Sequence, residues 1–436
     1  ELSIRRDGSS VFGKDVRWAT FPAVAVGWAF SEEPFMKNLY WLSFAKLRAS
    51  WGRSGQQFED AYLGHGRLKI GNIFMGKTGV SPEAMSNSHL SWEESDQYNI
   101  GVDADIYDYR LKIKADYYYK YTSSVLYLTP LPGNVYYHEK AWTNVMELSN
   151  EGIEIETLFD IFRNTDIKWR MKLNVSRNWN RFEKSYTDMD IEGWVIGRPI
   201  GGLYVYKDEG IIRSEKDIPA YFDQMANKKN LHFGNQSYPA SVGMRRIKDM
   251  NMDGKIDAED LYYAGSALPI LHGGLFHEVK WKDFDLNILC AFSLGRKILN
   301  IFSKSSLNLT QRFSPLFYDY RGKTFWQEGN ARTDFPTLNA ISKEYSGQFD
   351  GLTDSNIERV NYMRLKQLTI GYNVNKKLLK KLNIDGIRVF FTGENLFLWS
   401  NYSGLDPELV DPISGIDNGR HYPLARKLTL GLTVKF

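Results

Sequence analysis

From Arg110 to Thr122 the residues Leu111, Ile113, Ala115, Tyr117, Tyr119 and Tyr121 alternate with Arg110, Lys112, Lys114, Asp116, Tyr118 and Lys120. Period two puts one set of side chains on each face of an extended strand, so one face is apolar and the other charged. Ile167, Trp169, Met171, Leu173 and Val175 alternate likewise with Lys168, Arg170, Lys172, Asn174 and Ser176, and Leu428, Leu430, Leu432, Val434 and Phe436 with Lys427, Thr429, Gly431, Thr433 and Lys435. Looser alternation runs through 22–31, 44–52, 97–106, 152–161, 274–282, 284–294 and 387–397, and is weakest in 1–12 and 362–373. The pattern predicts an all-β chain of about twelve antiparallel strands, each roughly ten residues long, the length a tilted strand needs to cross a bilayer.

The connections alternate in length. Short ones fall around Asp108, at Arg163 to Asp166 and at Lys282-Asp283, and long polar ones at 53–96, 123–150, 181–270 and 296–360. Short turns on one side and long loops on the other are the signature of an outer-membrane β-barrel, with periplasmic turns and extracellular loops. A soluble propeller or lectin also has alternating strands, but it gives no cause for the regular switch of turn length. Two short-side connections read as small interfacial helices: Asn375 to Asn383, with Leu378, Leu379 and Leu382 on one face, and Met36 to Trp41.

Composition narrows the field. An aromatic share of 14% beside a mean hydropathy of -0.41 suits a surface meeting both lipid and water. The net charge is +3, and no run of like charges forms a tail, so nucleic acid is not expected as a partner. One cysteine, Cys290, excludes an intrachain disulfide framework and a cysteine-cluster zinc site. No stretch reaches the roughly 18 to 20 apolar residues of a membrane helix. The chain opens on Glu1-Leu2-Ser3-Ile4 without a signal-peptide pattern, so processing or an upstream N-terminus is expected.

An ordered series of short segments carries a family resemblance. It runs from Arg6-Asp7-Gly8-Ser9-Ser10 with Phe12-Gly13, through Phe21-Pro22 with Gly27-Trp28, Leu47-Arg48-Ala49-Ser50-Trp51-Gly52 with Gly55-Gln56, Asn99-Ile100-Gly101-Val102-Asp103 and Asn150-Glu151-Gly152-Ile153-Glu154, to the loop from Asp249 to Asp260. Arg364-Leu365-Lys366 with Gly371-Tyr372, Asn395-Leu396, Tyr402-Ser403-Gly404-Leu405-Asp406-Pro407-Glu408 and the strand ending at Phe436 complete it. The chain resembles the C-terminal barrel portion of SusC-like (RagA-like) TonB-dependent transporters over nearly its whole length. The resemblance implies a 22-stranded barrel with a plug in the outer membrane of a Gram-negative bacterium of the Bacteroidetes type. It also implies a SusD-like surface lipoprotein as lid, import of oligosaccharides or peptides, and energy from TonB. Residues 1–436 would then be the C-terminal part of one barrel domain. About ten strands, the plug and the TonB-contacting segment would lie N-terminal to Glu1.

The strongest local motif is Asp249-Met250-Asn251-Met252-Asp253-Gly254-Lys255-Ile256-Asp257-Ala258-Glu259-Asp260, an EF-hand-like loop within the 181–270 connection. Asp249, Asn251, Asp253, Asp257 and Asp260 stand at loop positions 1, 3, 5, 9 and 12, Gly254 at the sharp turn, and the Lys255 carbonyl at position 7. This donor order suits Ca²⁺, or Mg²⁺ given the short Asp260 in place of a bidentate Glu. The bland reading is a solvated Asp/Asn turn. Gly71-Asn72-Ile73-Phe74-Met75-Gly76-Lys77-Thr78 spells a P-loop, but Gly79, Pro82 and Asn87 follow where a helix is required, so it reads as a chance match in a loop. His272 and His277 read as strand residues, and Asp103/Asp105 as a lumen-wall pair rather than glycosidase carboxylates. The reading is therefore a transporter wall that catalyses no bond chemistry. A non-transporting glycan-binding or adhesin-like β-protein and a secreted glycoside hydrolase are the alternatives.

Overall fold

The computed structural model describes all residues except 14, 59, 61–63, 65–66, 132–139, 192, 223–227, 235–237, 302–321, 331–332, 334, 338–351, 376–378 and 380–383. Twelve long strands form one antiparallel sheet in sequence order: β1 Leu2–Gly8, β2 Trp18–Trp28, β3 Leu42–Gln56, β4 Glu93–Ile106, β5 Leu111–Pro130, β6 Lys140–Phe162, β7 Ile167–Lys184, β8 Leu271–Trp281, β9 Phe284–Asn300, β10 Ile357–Asn373, β11 Gly386–Ser400 and β12 Lys427–Lys435. Each pairs with its neighbours, and among the described residues β1 and β12 do not pair with each other. The sheet is open, with two strand edges.

Register carries the period-two pattern across the sheet. Val102, Ala115, Ile155 and Val175 share a rung, as do Ile100, Tyr117 and Ile153. On β9 to β12 the same face holds Leu286, Ile370, Phe391 and Leu430. Aromatic residues bound this face at both ends. Phe162, Trp169 and Phe284 stand near the short turns, and Trp51, Tyr98, Trp179, Phe397 and Trp399 near the long connections. At about 3.3 Å per residue and a tilt of about 40°, the stretch from Trp169 to Trp179 rises about 25 Å, the height of the apolar band of an outer-membrane barrel.

The strands outrun the expected length. β5 and β6 continue to Pro130 and from Lys140, so most of 123–150, expected as a loop, is a protruding hairpin. Alternation fades there because no lipid selects an apolar face beyond the band. In the 53–96 connection a separate hairpin pairs Arg67–Phe74 with Lys77–Ala84. The helical piece expected at Met36 to Trp41 lies earlier, as single 3-10 turns at Phe30–Glu32 and Pro34–Met36. Pro34 supplies the fixed φ that starts the second turn. Most of the helix expected at Asn375 to Asn383 falls outside the described residues.

Above the band two further units sit on the ends of β9 and β10. The first, 199–267, is an outer body of short strands around buried Tyr206, Ile212, Leu231, Phe233, Met244, Ile247 and Ile256. The second, 401–417, is a strap. Its Ile416–Asp417 pairs in parallel with Leu299 and Asn300 and covers the edge that β9 exposes beyond the end of β8.

Candidate functional site

On the sheet face opposite the apolar band, charged side chains form a cross-strand lattice. The Arg48 guanidinium donates to both Asp103 oxygens at 2.9 Å and reaches Asp116, two strands away, at 2.8 Å. It can do so because the residue between them is Gly101. A Cβ there would stand 2.1 Å from Asp116 Oδ1 and 2.8 Å from Arg48 Nη2. Gly371 leaves the same gap, its Cβ position lying 2.5 Å from Asp285 Oδ1 and 2.6 Å from Arg388 Nη2, which donates to Asp285 Oδ2 at 2.6 Å. Arg170 pairs with Asp160 at 2.7 Å and Lys172 with Glu156 at 3.2 Å. Asp103 and Asp105 both belong to this wall, Asp105 facing Lys112 at 3.9 Å. His277 accepts from Trp169 Nε1 at 3.1 Å and stands on β8 with His272.

The strap is fixed to the charged face. Arg364 on β10 pairs with Asp406 and Glu408, each at 2.6 Å, with the Arg364 and Asp406 side chains both only 4% exposed. Lys366 also reaches Glu408. Tyr402 Oη donates to Asp417 at 2.5 Å, and burial of the ring, then that bond, raises its pKa far above the usual phenol range. Asn300 donates to Glu358 at 2.9 Å and to Ser403 at 3.1 Å. The segment Tyr402 to Glu408, visible in the sequence only as a signature, is therefore the strap's anchor.

In the outer body the six residues assigned to a metal lie in one tight turn, with Gly254 at φ +84°. Asp249 accepts from the Met252 and Gly254 amides at 2.6 and 2.8 Å, Asn251 from Asp253 at 3.1 Å, and Asp253 from Lys255 at 2.8 Å. Asp257 accepts from Glu259 at 2.9 Å and pairs with the Lys255 ammonium; Asp260 accepts from Met250 at 2.7 Å and Asp257 at 2.9 Å. The mutual repulsion expected of these carboxylates is thus offset by backbone amides and one lysine. Among the described residues, no group of three or more His, Cys, Asp or Glu stands close enough to share an ion. The donors are of the hard-oxygen kind, but they serve the turn itself rather than a common centre. Burial pushes Asp260 up, and Asp249 and Asp257 add to that; Lys255 draws Asp257 down.

The P-loop-like octet forms the turn of the hairpin Arg67–Phe74/Lys77–Ala84, and no helix follows it among the described residues. Phosphate therefore finds no helix N-terminus there. The hairpin is instead amphipathic: a register shift between Ile70 and Asn72 keeps Leu68, Ile70 and Ile73 on one face, with Val80 the register partner of Ile70. Ile70 and Ile73 are 72% and 79% exposed. Exposed apolar faces of this kind mark binding surfaces.

Residues 1–396 match the family described as TonB dependent receptor-like, beta-barrel. The chain belongs to this family. Over all of its length it is 27% identical to the TonB-dependent receptor P39 of Formosa agariphila, covering 44% of that protein. It is 29% identical to the TonB-dependent receptor SusC of Bacteroides thetaiotaomicron, covering 42%. The structure of the RagAB peptide transporter superposes with a TM-score of 0.79 at 24% identity, over all of this chain and 45% of that one. The chain thus spans under half the length of the curated relatives it matches. It is part of a TonB-dependent receptor-like β-barrel of the outer membrane. The apolar face meets lipid, the charged face lines the lumen, and the long connections are extracellular.

Sequence reasoning found the lumenal Asp103 and Asp105 but held Arg48, Gly101 and Arg364 only as signature residues, without their roles. Alternation assigns a face to each residue, whereas these three act across strands, and only register shows which residues they meet.

Proposed function

We propose that this chain is the C-terminal part of the barrel of a TonB-dependent importer of oligosaccharides or peptides, and that it catalyses no bond chemistry. The observation that carries the reading is the pairing of a lipid-compatible outer face with an ion-paired, water-compatible inner face under a folded extracellular body. Further strands of the same protein would satisfy the open edges at β1 and β12, a plug would fill the lumen, and TonB would act through the N-terminal part. A SusD-like surface lipoprotein is the partner this reading requires outside the membrane, and the exposed apolar hairpin at 67–84 supports a protein contact there. Glycan and peptide cargo are both kept: a peptide is supported by the structural likeness to the RagAB peptide transporter, and a glycan only by the resemblance of the sequence motifs to SusC-like transporters.

The test is uptake by cells carrying the full-length protein, offered defined labelled oligosaccharides and peptides with and without a proton-motive-force uncoupler. Uncoupler-sensitive uptake of either class, and co-purification of a lipoprotein, are expected. Binding of glycan at the cell surface without uptake would instead establish a non-transporting binding protein.

The loop at 249–260 completes the proposal: it takes Ca²⁺, or Mg²⁺, and orders the outer body. Support comes from the buried Asp249 and Asp260, with which no described basic side chain forms an ion pair. An ion would draw Asp253 and Asp257 towards them, with oxygen ligands at about 2.3–2.6 Å for Ca²⁺. Asp253→Ala is expected to abolish metal-dependent protection of the segment between Tyr204 and Leu271 from protease while barrel assembly is kept. Cleavage indifferent to Ca²⁺, Mg²⁺ and chelator would leave only the self-closed turn.

A further inference from the structure

Arg296 joins two segments far apart in the chain. It lies beyond the membrane band, just past the register shift in β9 where Gly295 takes φ +73°. Its side chain is buried, the residue being 5% exposed. The guanidinium donates to the Ala267 carbonyl at 3.2 Å, at the end of the outer body, and to three carbonyls of the strap: Pro407 at 3.0 Å, Val410 at 2.8 Å and Asp411 at 2.6 Å. Among the described residues no carboxylate forms an ion pair with it. A buried cation without a counter-ion is costly unless fixed dipoles replace its water, and here the dipoles come from both segments at once. The planar fork matters, since a lysine ammonium at this position has one nitrogen to set against four acceptors.

Close packing reinforces the join. A Cβ on Gly415 would stand 2.4 Å from that of Ala267, and one on Gly201 would stand 1.9 Å from the Ile413 carbonyl oxygen. Lys297 adds a bond to the Ala264 carbonyl at 2.5 Å. The protruding end of β9 is thereby sandwiched. Ile298 packs with Val360 of β10 and with Tyr402 and Val410 of the strap, and Leu299 with Leu203 and Val205 of the outer body.

We propose that Arg296 is a positioning residue that fastens the outer body and the lumenal strap into one unit, so that whatever holds or displaces one does the same to the other. An outer-body contact would then reach the barrel lumen through the strap, without any change in the membrane-crossing strands.

Hydrogen exchange on the full-length protein in detergent tests the coupling. Arg296→Gln is expected to raise exchange in 262–268 and 405–415 together, by about tenfold or more, with β4 to β7 unchanged. Arg296→Lys recovers a minor part. A tether separates coupling from general loosening: Leu299→Cys with Ile416→Cys, which are register partners, holds the strap on β9 directly. With Arg296 in place the oxidised tether should also slow exchange in 262–268. With Arg296→Gln the tether should protect 405–415 alone. The proposal is overturned if Arg296→Gln loosens only one segment or neither, or if the tether protects 262–268 equally with and without Arg296.

Discussion

In β4 to β7, Val102, Ala115, Ile155 and Val175 line up along one rung and remain partly open on the protein's own surface, because lipid is what covers them. A few turns of chain away, Ile212, Leu231, Ile247 and Ile256 of the outer body are fully enclosed by protein. Charges follow the same division. Arg48 in the lumenal wall keeps about a third of its side chain in water, at 36% exposure, while the Arg245–Asp208 pair of the outer body, 2.6 Å apart, is buried. The wall is thus held by ladder hydrogen bonds and its solvent, and the outer body by a core. One chain answers to two solvents, and substitutions should separate them.

The largest effect is expected where a core is emptied. Leu231→Ala removes a fully enclosed side chain and should cost the outer body about 2–5 kcal/mol. Because that core shares no rung with the barrel, proteolysis between Tyr204 and Leu271 should accelerate while the heat-induced shift of the barrel in gel electrophoresis stays in place. Simultaneous loss of both would mean that the two regions fold as one.

The converse substitution attacks the wall. Ile113→Arg puts a guanidinium on the lipid face and should destabilise the barrel, by up to the roughly 2–4 kcal/mol of a midplane site and less the nearer it stands to the short turn, whereas Lys114→Arg on the lumenal face should be nearly silent. Equal sensitivity of the two sites in bilayer or detergent unfolding would break the assignment of faces.

These two sites mark how far the sequence could be read. Ile113 and Lys114 declare their faces by alternation alone, and the expected segments correspond to the twelve strands because lipid and lumen impose a strict period of two. The outer body has no such period. Its strands are two to five residues long, and its core draws on residues from Tyr206 to Ile256 that no local pattern connects. The strap was visible as Tyr402 to Glu408 without its role, since Arg364 and Arg296 reach it from strands more than thirty residues earlier. Gly101 and Gly371 stood in quoted motifs, but that each is a gap for a passing arginine is a property of register.

That gap gives a third, smaller test, confined to the wall. Gly101→Val fills the space through which Arg48 reaches Asp116, and should cost about 1–3 kcal/mol as the guanidinium is forced aside. The pair itself is partly solvated, so most of that cost is steric rather than electrostatic. Arg48→Leu in the same background should recover much of the loss, because the smaller side chain no longer crosses the glycine. No recovery would show that the strand backbone, not the arginine, is what the valine displaces.

The smallest effect distinguishes a metal-ordered outer body from a self-closed one by the sign of its pH dependence. In chelator, Asp260 has its pKa raised by burial and by Asp249 and Asp257. A raised carboxyl contributes stability below its unfolded pKa and loses it as pH rises through the folded value, so lowering the pH through that folded value should tighten the turn. Asp257 is lowered by Lys255 and the Glu259 amide. Its contribution is present above the unfolded pKa and is lost as pH falls through the folded value, so stronger acid should loosen the turn again. Protection of 249–260 from protease should therefore peak between the two, near the ordinary carboxylate pKa, when no divalent ion is present. With saturating Ca²⁺ the slope reverses, because protons now compete with the ion for Asp260, and protection should be greatest at neutral pH and fall steadily with acid. A profile identical in Ca²⁺ and in chelator, with protection rising on first acidification in both, would assign the ordering of this turn to its own amides and Lys255 alone.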